Sequence, residues 1–118
     1  MLSKIRDALE SLDIGPVQYG RLKNTPDLWN YIVFARDRMQ KSGTSRNDYN
    51  RYYTIVIVQE DYMPEGLEIR VIKKLEEIPG LKLANDNIQY DYTVKKNSGT
   101  VVEMAVISFT EIIKGYKL

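Results

Sequence analysis

Two long strand-like segments joined by a polar loop set the main constraint on the fold of this chain. Leu28–Met39 and Arg51–Glu60 are both rich in aromatic and β-branched residues. Each segment carries apolar side chains on both faces, and such strands need cover on two sides. We therefore expect the two segments to pair as an antiparallel hairpin at the centre of a sheet.

Two other segments show the apolar spacing of amphipathic helices. Charged residues occupy the opposite face of each, and glycine and proline follow both segments and end them. The apolar positions are Leu2, Ile5, Leu9 and Leu12 in the first helix and Leu67, Val71, Leu75 and Ile78 in the second.

Three further strands complete the predicted fold. Val17–Leu22 is predicted to be a short strand, Ile88–Val94 alternates as a half-buried strand does, and Val101–Ile113 returns antiparallel to it. The predicted order is α-β-β-β-α-β-β. The length favours a single domain over residues 1–118, of the α+β class, with two helices packed on a mostly antiparallel sheet.

Composition indicates an ordinary globular chain without a strong global charge. Apolar residues make up 43% of the 118 positions, and 17 basic against 16 acidic residues leave a formal charge of +1. No overall field favours nucleic acid or an anionic membrane. The amino terminus lacks the apolar core of a signal peptide, and no segment approaches the ~20 apolar residues of a membrane helix.

The residue types that support most enzyme chemistry are missing. The chain has no histidine and no cysteine, which removes the commonest general base, the thiol nucleophile and the commonest metal ligands. The adjacent acids Glu60–Asp61 and Glu76–Glu77 point in different directions and do not converge on a substrate. Asn85–Asp86–Asn87 is interpreted as a turn. We predict no catalysis, no metal and no cofactor.

The loop between the two central strands is basic. Arg36, Arg38, Lys41, Arg46 and Arg51 outnumber Asp37 and Asp48, so the local charge is +3, and tyrosines 49, 52 and 53 lie beside them. A solvated hairpin tip is the favoured interpretation. Contact with single-stranded nucleic acid is the alternative, because basic grooves with aromatic rings bind phosphates and stack on bases.

Tyrosine dominates the aromatic residues, with nine of twelve, and this residue is enriched at protein interfaces. Two helices cover one face of the predicted hairpin and leave part of the other to a neighbouring subunit. The outer side of the second helix is a further candidate surface. The candidate interface residues are Trp29, Tyr31, Tyr52, Ile69 and Ile72.

The order and spacing of these elements resemble the tail terminator, or tail completion, proteins of long-tailed bacteriophages and prophage elements. The resemblance spans nearly the whole chain. It is carried by the amino-terminal helix, by a proline-introduced strand, by a polar loop, and by a helix after an acidic turn with a closing hairpin. The segments quoted for it are Pro16–Gly20, Pro26–Phe34, Asn47–Tyr49 and Tyr52–Val58.

The resemblance implies a virion protein, made in the bacterial cytoplasm and built into the tail. It would form a hexameric ring that stops tail-tube polymerisation and docks the head connector or stopper protein, with DNA only as passing cargo. The long loop would face the channel or the tube. That loop consists of Gln40, Lys41, Ser42, Gly43, Thr44, Ser45, Arg46, Asn47, Asp48, Tyr49 and Asn50.

Two other functions fit the same sequence. One is a monomeric ferredoxin-like module that binds nucleic acid through Arg36, Arg38, Arg46 and Tyr49. The other is a different protein of the phage head–tail neck. Light scattering, nucleic-acid binding and electron microscopy separate these possibilities.

Overall fold

The computed structural model describes residues 1–21, 29–43, 48–84, 87–95 and 98–114. Within these ranges two helices and six strands follow one another. In chain order they are α1 (Leu2–Ser11), β1 (Val17–Tyr19), β2 (Tyr31–Lys41), β3 (Tyr49–Glu60), α2 (Leu67–Glu76), β4 (Leu81–Leu83), β5 (Gln89–Val94) and β6 (Val101–Ile113).

One mostly antiparallel sheet contains all six strands. Its order is β1-β2-β3-β6-β4, and β5 pairs with the other half of the same edge of β6. Only β1 and β2 run parallel. The α+β class and the antiparallel sheet are confirmed, and the short strand β4 adds to the predicted order. The ferredoxin-like alternative is wrong, because that fold follows the order β-α-β-β-α-β.

Both helices pack on one face of the sheet. Ile5 and Leu9 of α1 and Val71 and Leu75 of α2 are fully buried, in one cluster with side chains from β2, β3 and β6. Each such burial stabilises the fold by about 1.5–3 kcal/mol. The strand residues of this core are Ile32, Phe34, Tyr53, Ile55, Ile57, Ala105, Ile107 and Phe109.

The entry to the hairpin depends on a close backbone approach. Gly15 follows α1 with φ +152°, and a Cβ at this position would lie 2.3 Å from the carbonyl oxygen of Asn30. Only glycine fits there. The approach seats β1 against the start of β2, where Ile32 N–H donates to Pro16 O at 2.9 Å. Glycine at position 15 therefore serves packing as well as ending the helix.

The central hairpin is longer than the sequence indicates. β2 and β3 pair continuously from Tyr31–Val58 out to Lys41–Tyr49, with one bulge between Arg36 and Arg38. The prediction that residues 40–50 form an eleven-residue loop is therefore wrong at both ends. Residues 40, 41, 49 and 50 are paired strand, because backbone pairing continues where the apolar pattern has ended.

Strand β5 is correctly predicted, but its half-buried face is wrong. All six of its residues are exposed, and Tyr92 and Val94 keep 59% and 57% of their surface. The alternation is real, since Tyr90, Tyr92 and Val94 point to the helix side of the sheet. However, α2 reaches only Tyr90, whose hydroxyl donates to Glu68. The rest of that face is uncovered by any described residue.

Candidate assembly surfaces

The far ends of β2, β3 and β6 project from the body of the protein as a flat arm. The arm consists of residues 36–41, 49–52 and 110–113, and the molecule as a whole measures 53 × 24 × 23 Å. Every β2 residue in it is exposed. The arm is thus a surface with little core beneath it.

Side-chain contacts between neighbouring strands stiffen the arm. The guanidinium carbon of Arg38 lies 3.9 Å from the centre of the Tyr52 ring, a cation–π contact on one face. On the other face, Arg51 Nη2 lies 3.7 Å from the sulfur of Met39. Arg38 also pairs with Asp37 at 2.5 Å. These contacts hold the basic groups in place.

The opposite end of the sheet is acidic. Tight turns and hydrogen bonds bring carboxylates from β3, α2, β5 and β6 together there: Glu103 Oε1 accepts from Met63 N–H at 2.7 Å, and Glu60 pairs with Lys95 at 3.3 Å. We call this group the acidic end. It comprises Glu60, Asp61, Glu65, Glu68, Asp91 and Glu103, with Lys95 and Arg70 among them.

The acidic end raises the pKa of nearby tyrosines. The Tyr90 hydroxyl donates to Glu68, and this hydrogen bond, followed by burial and the charge of Glu68, raises the pKa of Tyr90 to about 12. A hydrogen bond to Glu103 raises the pKa of Tyr92 in the same direction. Both phenols therefore stay neutral donors at ordinary pH.

The arm carries the opposite charge. Its cations are Arg36, Arg38 and Lys41 on β2 and Arg51 on β3, with Lys114 directly after β6. Asp37 and Glu111 belong to it, and Asp48 adjoins it, so that positive charge prevails. Because β3 runs from Tyr49 at the arm to Glu60 at the acidic end, the two charged regions lie at opposite ends of the long axis.

Each of these two ends also carries a strand edge without a partner among the described residues. β1 pairs only with positions 32–34 of β2, so the edge at positions 36–41 has no neighbour opposite β3. β5 pairs with β6 on one side only. Unpaired edges expose backbone donors and acceptors that can bind another strand.

The sheet face opposite the helices is largely apolar, and most of it is only partly shielded from solvent. Strand alternation places Val33, Val56 and Val106 on it, and all three are half-buried by their neighbours alone. Apolar patches that are open to solvent are typical of interaction sites. We call the half-buried part of this side the uncovered face, and it comprises Tyr31, Val33, Ala35, Tyr52, Thr54, Val56, Met104, Val106 and Ser108.

Four of the five predicted interface residues are half-buried or exposed, and the fifth lies in the core. Tyr31 and Tyr52 are half-buried at the two ends of the uncovered face, and burial raises the pKa of Tyr31. Trp29 is half-buried before β2, and its indole N–H has no hydrogen-bond partner among the described residues. Ile69 is 51% exposed on the outer side of α2. Ile72 packs in the core instead, so its assignment to an interface is wrong.

The predicted channel loop is reduced to its tip. Gln40, Lys41, Tyr49 and Asn50 belong to the arm, and Ser42 N–H donates to Asp48 O at 2.8 Å, which closes the hairpin further. Gly43 is exposed. Thr44, Ser45, Arg46 and Asn47 lie outside the described residues, as do Asn85 and Asp86 of the predicted turn.

Sequence inspection missed Asp91, Met39 and the acidic end. Asp91 is an ordinary solvent-facing residue in an alternating strand, and Met39 lies at the end of an apolar segment. One signal was available: β5 contains neither proline nor lysine, the residues that commonly protect sheet edges. The acidic end shows no signal in the sequence, since its carboxylates come from four separate segments.

Small-molecule and metal sites receive no support from the described residues. No cluster of three or more acidic side chains there could hold a metal ion, and no described helix is long and apolar enough to cross a membrane. Two shallow clefts flank the start of α2, one of them between α2 and β5.

No protein-family model matches the chain, and no curated protein sequence matches it significantly.

Proposed function

We propose that this chain is a non-enzymatic phage structural protein of the tail terminator or tail completion type. Copies of it join head to tail into a ring, most simply a hexamer, that ends tail-tube polymerisation. The ring offers one side to the tube protein and the other to the head connector or stopper protein, while DNA passes through it. It is made in the host cytoplasm and built into the virion tail.

The observation that carries this proposal is the separation of charge along the sheet. A ring of identical subunits uses heterologous contacts, in which two unlike patches of one surface meet in each pair. The basic arm and the acidic end are two such patches, at opposite ends of a molecule that is 53 Å long. Like ends repel and unlike ends attract, which favours head-to-tail order over a symmetric dimer.

The uncovered sheet face supports assembly of the same chain. A monomer would leave this apolar surface in water, whereas a ring and its docking partners can bury it. The exposed apolar residues of β5 also favour assembly. Neither surface offers the convergent titratable groups that catalysis requires.

The hairpin tip is the part of the ring that we assign to the channel or the tube. It joins the two paired strands of the arm in the chain. Only residues 42–48 belong to this tip, instead of the eleven residues 40–50. Its role is contact with the tube, and the fold does not depend on it.

Light scattering of the purified protein tests the proposal. We expect a mass near six subunits, or a concentration-dependent approach to it, at low ionic strength. Raising the salt to about 500 mM, where charges are screened beyond about 5 Å, should lower the mass. A strict monomer at high protein concentration and low salt would exclude a ring-forming protein.

Nucleic-acid binding is the second candidate function, and one observation favours it. Arg36 and Arg38 are exposed on the arm, and Arg38 is stacked on Tyr52, an arrangement that can contact phosphates and bases. Neutralising Arg36 and Arg38 together should then abolish salt-sensitive binding to single-stranded DNA. Binding by a monomer that these substitutions remove would favour this function over the ring.

A different protein of the head–tail neck is the third candidate, and it shares ring assembly with the first. Gold-labelled antibody on intact virions separates the two. Label at the head-proximal end of free tails supports the terminator. Label that appears only on heads supports the neck protein.

A further inference from the structure

We propose that neighbouring copies join by continuing the sheet: β5 of one copy pairs with the arm half of β2 of the next. This inference rests on the proposed ring, and it specifies which strands make the contact. The partner is a second copy of this chain.

The backbone groups needed for this pairing point outward from β5. Lys95 N–H donates to Thr100 O at 2.8 Å, and hydrogen-bonded positions alternate along an antiparallel pair. Thr93, Asp91 and Gln89 therefore bond to β6, while Tyr90, Tyr92 and Val94 direct their N–H and C=O groups away from it. The Tyr92 N–H bonds to the side chain of Asp91 at 2.9 Å, as an outward donor would.

The backbone groups of the arm that point away from β3 follow from its hydrogen-bond pattern. Ser42 N–H donates to Asp48 O, so Gln40 and Arg38 bond to β3. Met39 and Lys41 direct their backbone groups to the unpaired edge. Each edge thus offers alternating donors and acceptors over a comparable length, as strand addition requires.

Side chains on the two edges match when the sheet continues. With Tyr92 opposite Met39, Asp91 of β5 lies opposite Gln40 on the uncovered face and diagonally across from Arg38, an acid within reach of a long basic side chain. On the helix face, Tyr92, 59% exposed, meets the side that carries Met39, 54% exposed. Opposite charges and apolar pairs across neighbouring strands both stabilise a sheet.

Strand direction is also consistent. β5 runs opposite to β6, while β2 runs with β6, because both β2 and β6 are antiparallel to β3. A neighbour in the same orientation therefore pairs antiparallel.

The register of the contact sets the offset between neighbouring copies. Tyr92 lies level with Glu103 of β6, and Met39 lies level with Glu111 of β6. These two positions are eight residues apart, so neighbours are staggered by roughly 27 Å along the strands. In β-barrels, staggered and tilted strands allow a sheet to close on itself, so a staggered contact is compatible with a closed ring.

Symmetric pairing of two arm edges is disfavoured. Two arm edges would bring Arg36, Arg38 and Lys41 against their copies. The bulge at Asp37 and these charges are devices that block pairing between like edges. β5 lacks such protection from Gln89 to Val94 and would accept the arm edge.

A proline on the β5 edge tests strand addition. Tyr92→Pro removes an N–H that β6 does not use, so β5 should stay in place while a neighbour is blocked. Tyr92→Thr is the matched control, since it also loses the ring but keeps the N–H. We expect at least a tenfold higher dissociation constant for Tyr92→Pro than for Tyr92→Thr, by light scattering.

A charge exchange gives a second test that does not depend on proline. Asp91→Lys places a base near Arg38 of the neighbour, and Arg38→Glu places an acid near Asp91 of the neighbour, so each variant alone should dissociate. Mixed together, they should assemble, because every contact then joins unlike charges. Lys73→Glu on the exposed side of α2 is the control for total charge and should assemble alone.

The outcomes separate this contact from the proposed function. If the wild-type protein assembles and both Tyr92→Pro and the two charge variants assemble equally well, the sheet contact is wrong while the ring proposal stands. A dimer that Tyr92→Pro disrupts and Arg38→Glu does not would indicate β5–β5 pairing and overturn the contact. A monomeric wild-type protein overturns both.

Discussion

The hydroxyl of Tyr53 donates a hydrogen bond of 2.5 Å to Glu111 Oε1, and this bond links β3 to β6 where the arm leaves the core. The Tyr53 ring is 1% exposed, whereas Glu111 is half-buried. The pair therefore marks the boundary between the packed body and the exposed arm. It should contribute to stability as well as to the position of the arm.

Tyr53→Phe should lower the free energy of unfolding by about 1 kcal/mol, because it removes this hydrogen bond and keeps the packed ring. Urea denaturation followed by circular dichroism measures the change. Tyr62→Phe is the matched control, since Tyr62 is 72% exposed and should be neutral. Equal effects of the two substitutions would show that the bond contributes nothing.

Alkaline pH should destabilise the fold through the same group. Burial, followed by the hydrogen bond to Glu111, raises the pKa of Tyr53 to about 12, although Arg51 acts in the opposite direction. An unfolded tyrosine titrates near 10. Between these values the unfolded chain loses a proton that the folded chain keeps, so stability is full below about pH 10 and falls above it.

The check is to compare urea midpoints at about pH 8 and about pH 11. The wild-type protein should lose more stability over this interval than Tyr53→Phe does. Tyr90 titrates in the same range but is exposed, so its contribution is smaller and common to both proteins. A loss of the same size in Tyr53→Phe would contradict the assignment.

Two isoleucines on α2 should respond differently to truncation. Ile72→Ala should cost about 2–4 kcal/mol, since Ile72 packs in the core. Ile69→Ala should change the stability of the monomer by less than about 0.5 kcal/mol, because Ile69 is 51% exposed. Similar losses at both positions would mean that α2 is rotated relative to the described packing.

Gly15→Ala should destabilise the protein by at least about 2 kcal/mol. The added Cβ would lie 2.3 Å from the Asn30 carbonyl oxygen, and backbone must move to relieve the contact. Gly43→Ala is the control, since nothing lies within 4 Å of the corresponding Cβ. Thermal unfolding compares the two, and a neutral Gly15→Ala would refute the close approach of β1 to β2.

Shortening the hairpin tip should separate folding from function. Replacing residues 43–47 by Asn-Gly keeps the hydrogen-bonded pair Ser42–Asp48 and provides a two-residue turn. The variant should keep the wild-type unfolding temperature and the wild-type oligomer. We expect it to fail in tail completion, scored by tail length in electron micrographs of infected or induced cells. Tails of normal length would remove the tip from the proposed function.

The elements that pack on the core were predictable from the sequence. The strand ends and short strands outside the core were harder to predict. Apolar spacing placed α1 and α2, and β6 was predicted from Val101 to Ile113 as observed. Gln40 and Lys41 were assigned to a loop because their strand pairing has no apolar signature. Leu81–Leu83 is too short to show a period. Alternation identified β5, yet it cannot report whether a face is covered.

The assembly surfaces depended on the fold. The sequence showed the basic side of the arm as a local charge of +3, but the acidic end exists only when β3, α2, β5 and β6 converge. Likewise, Ile69 and Ile72 share one apolar stripe, and only packing decides which of them is buried. Which backbone edges stay open follows from the strand pairing, and the lack of proline and lysine in β5 is the one residue-level sign of it.

Electron microscopy of the purified wild-type protein at low salt tests the central claim most directly. Head-to-tail joining of the basic arm to the acidic end predicts closed rings with a central channel, uniform in subunit number. A field of single, elongated particles at a concentration where light scattering detects no larger species would contradict it.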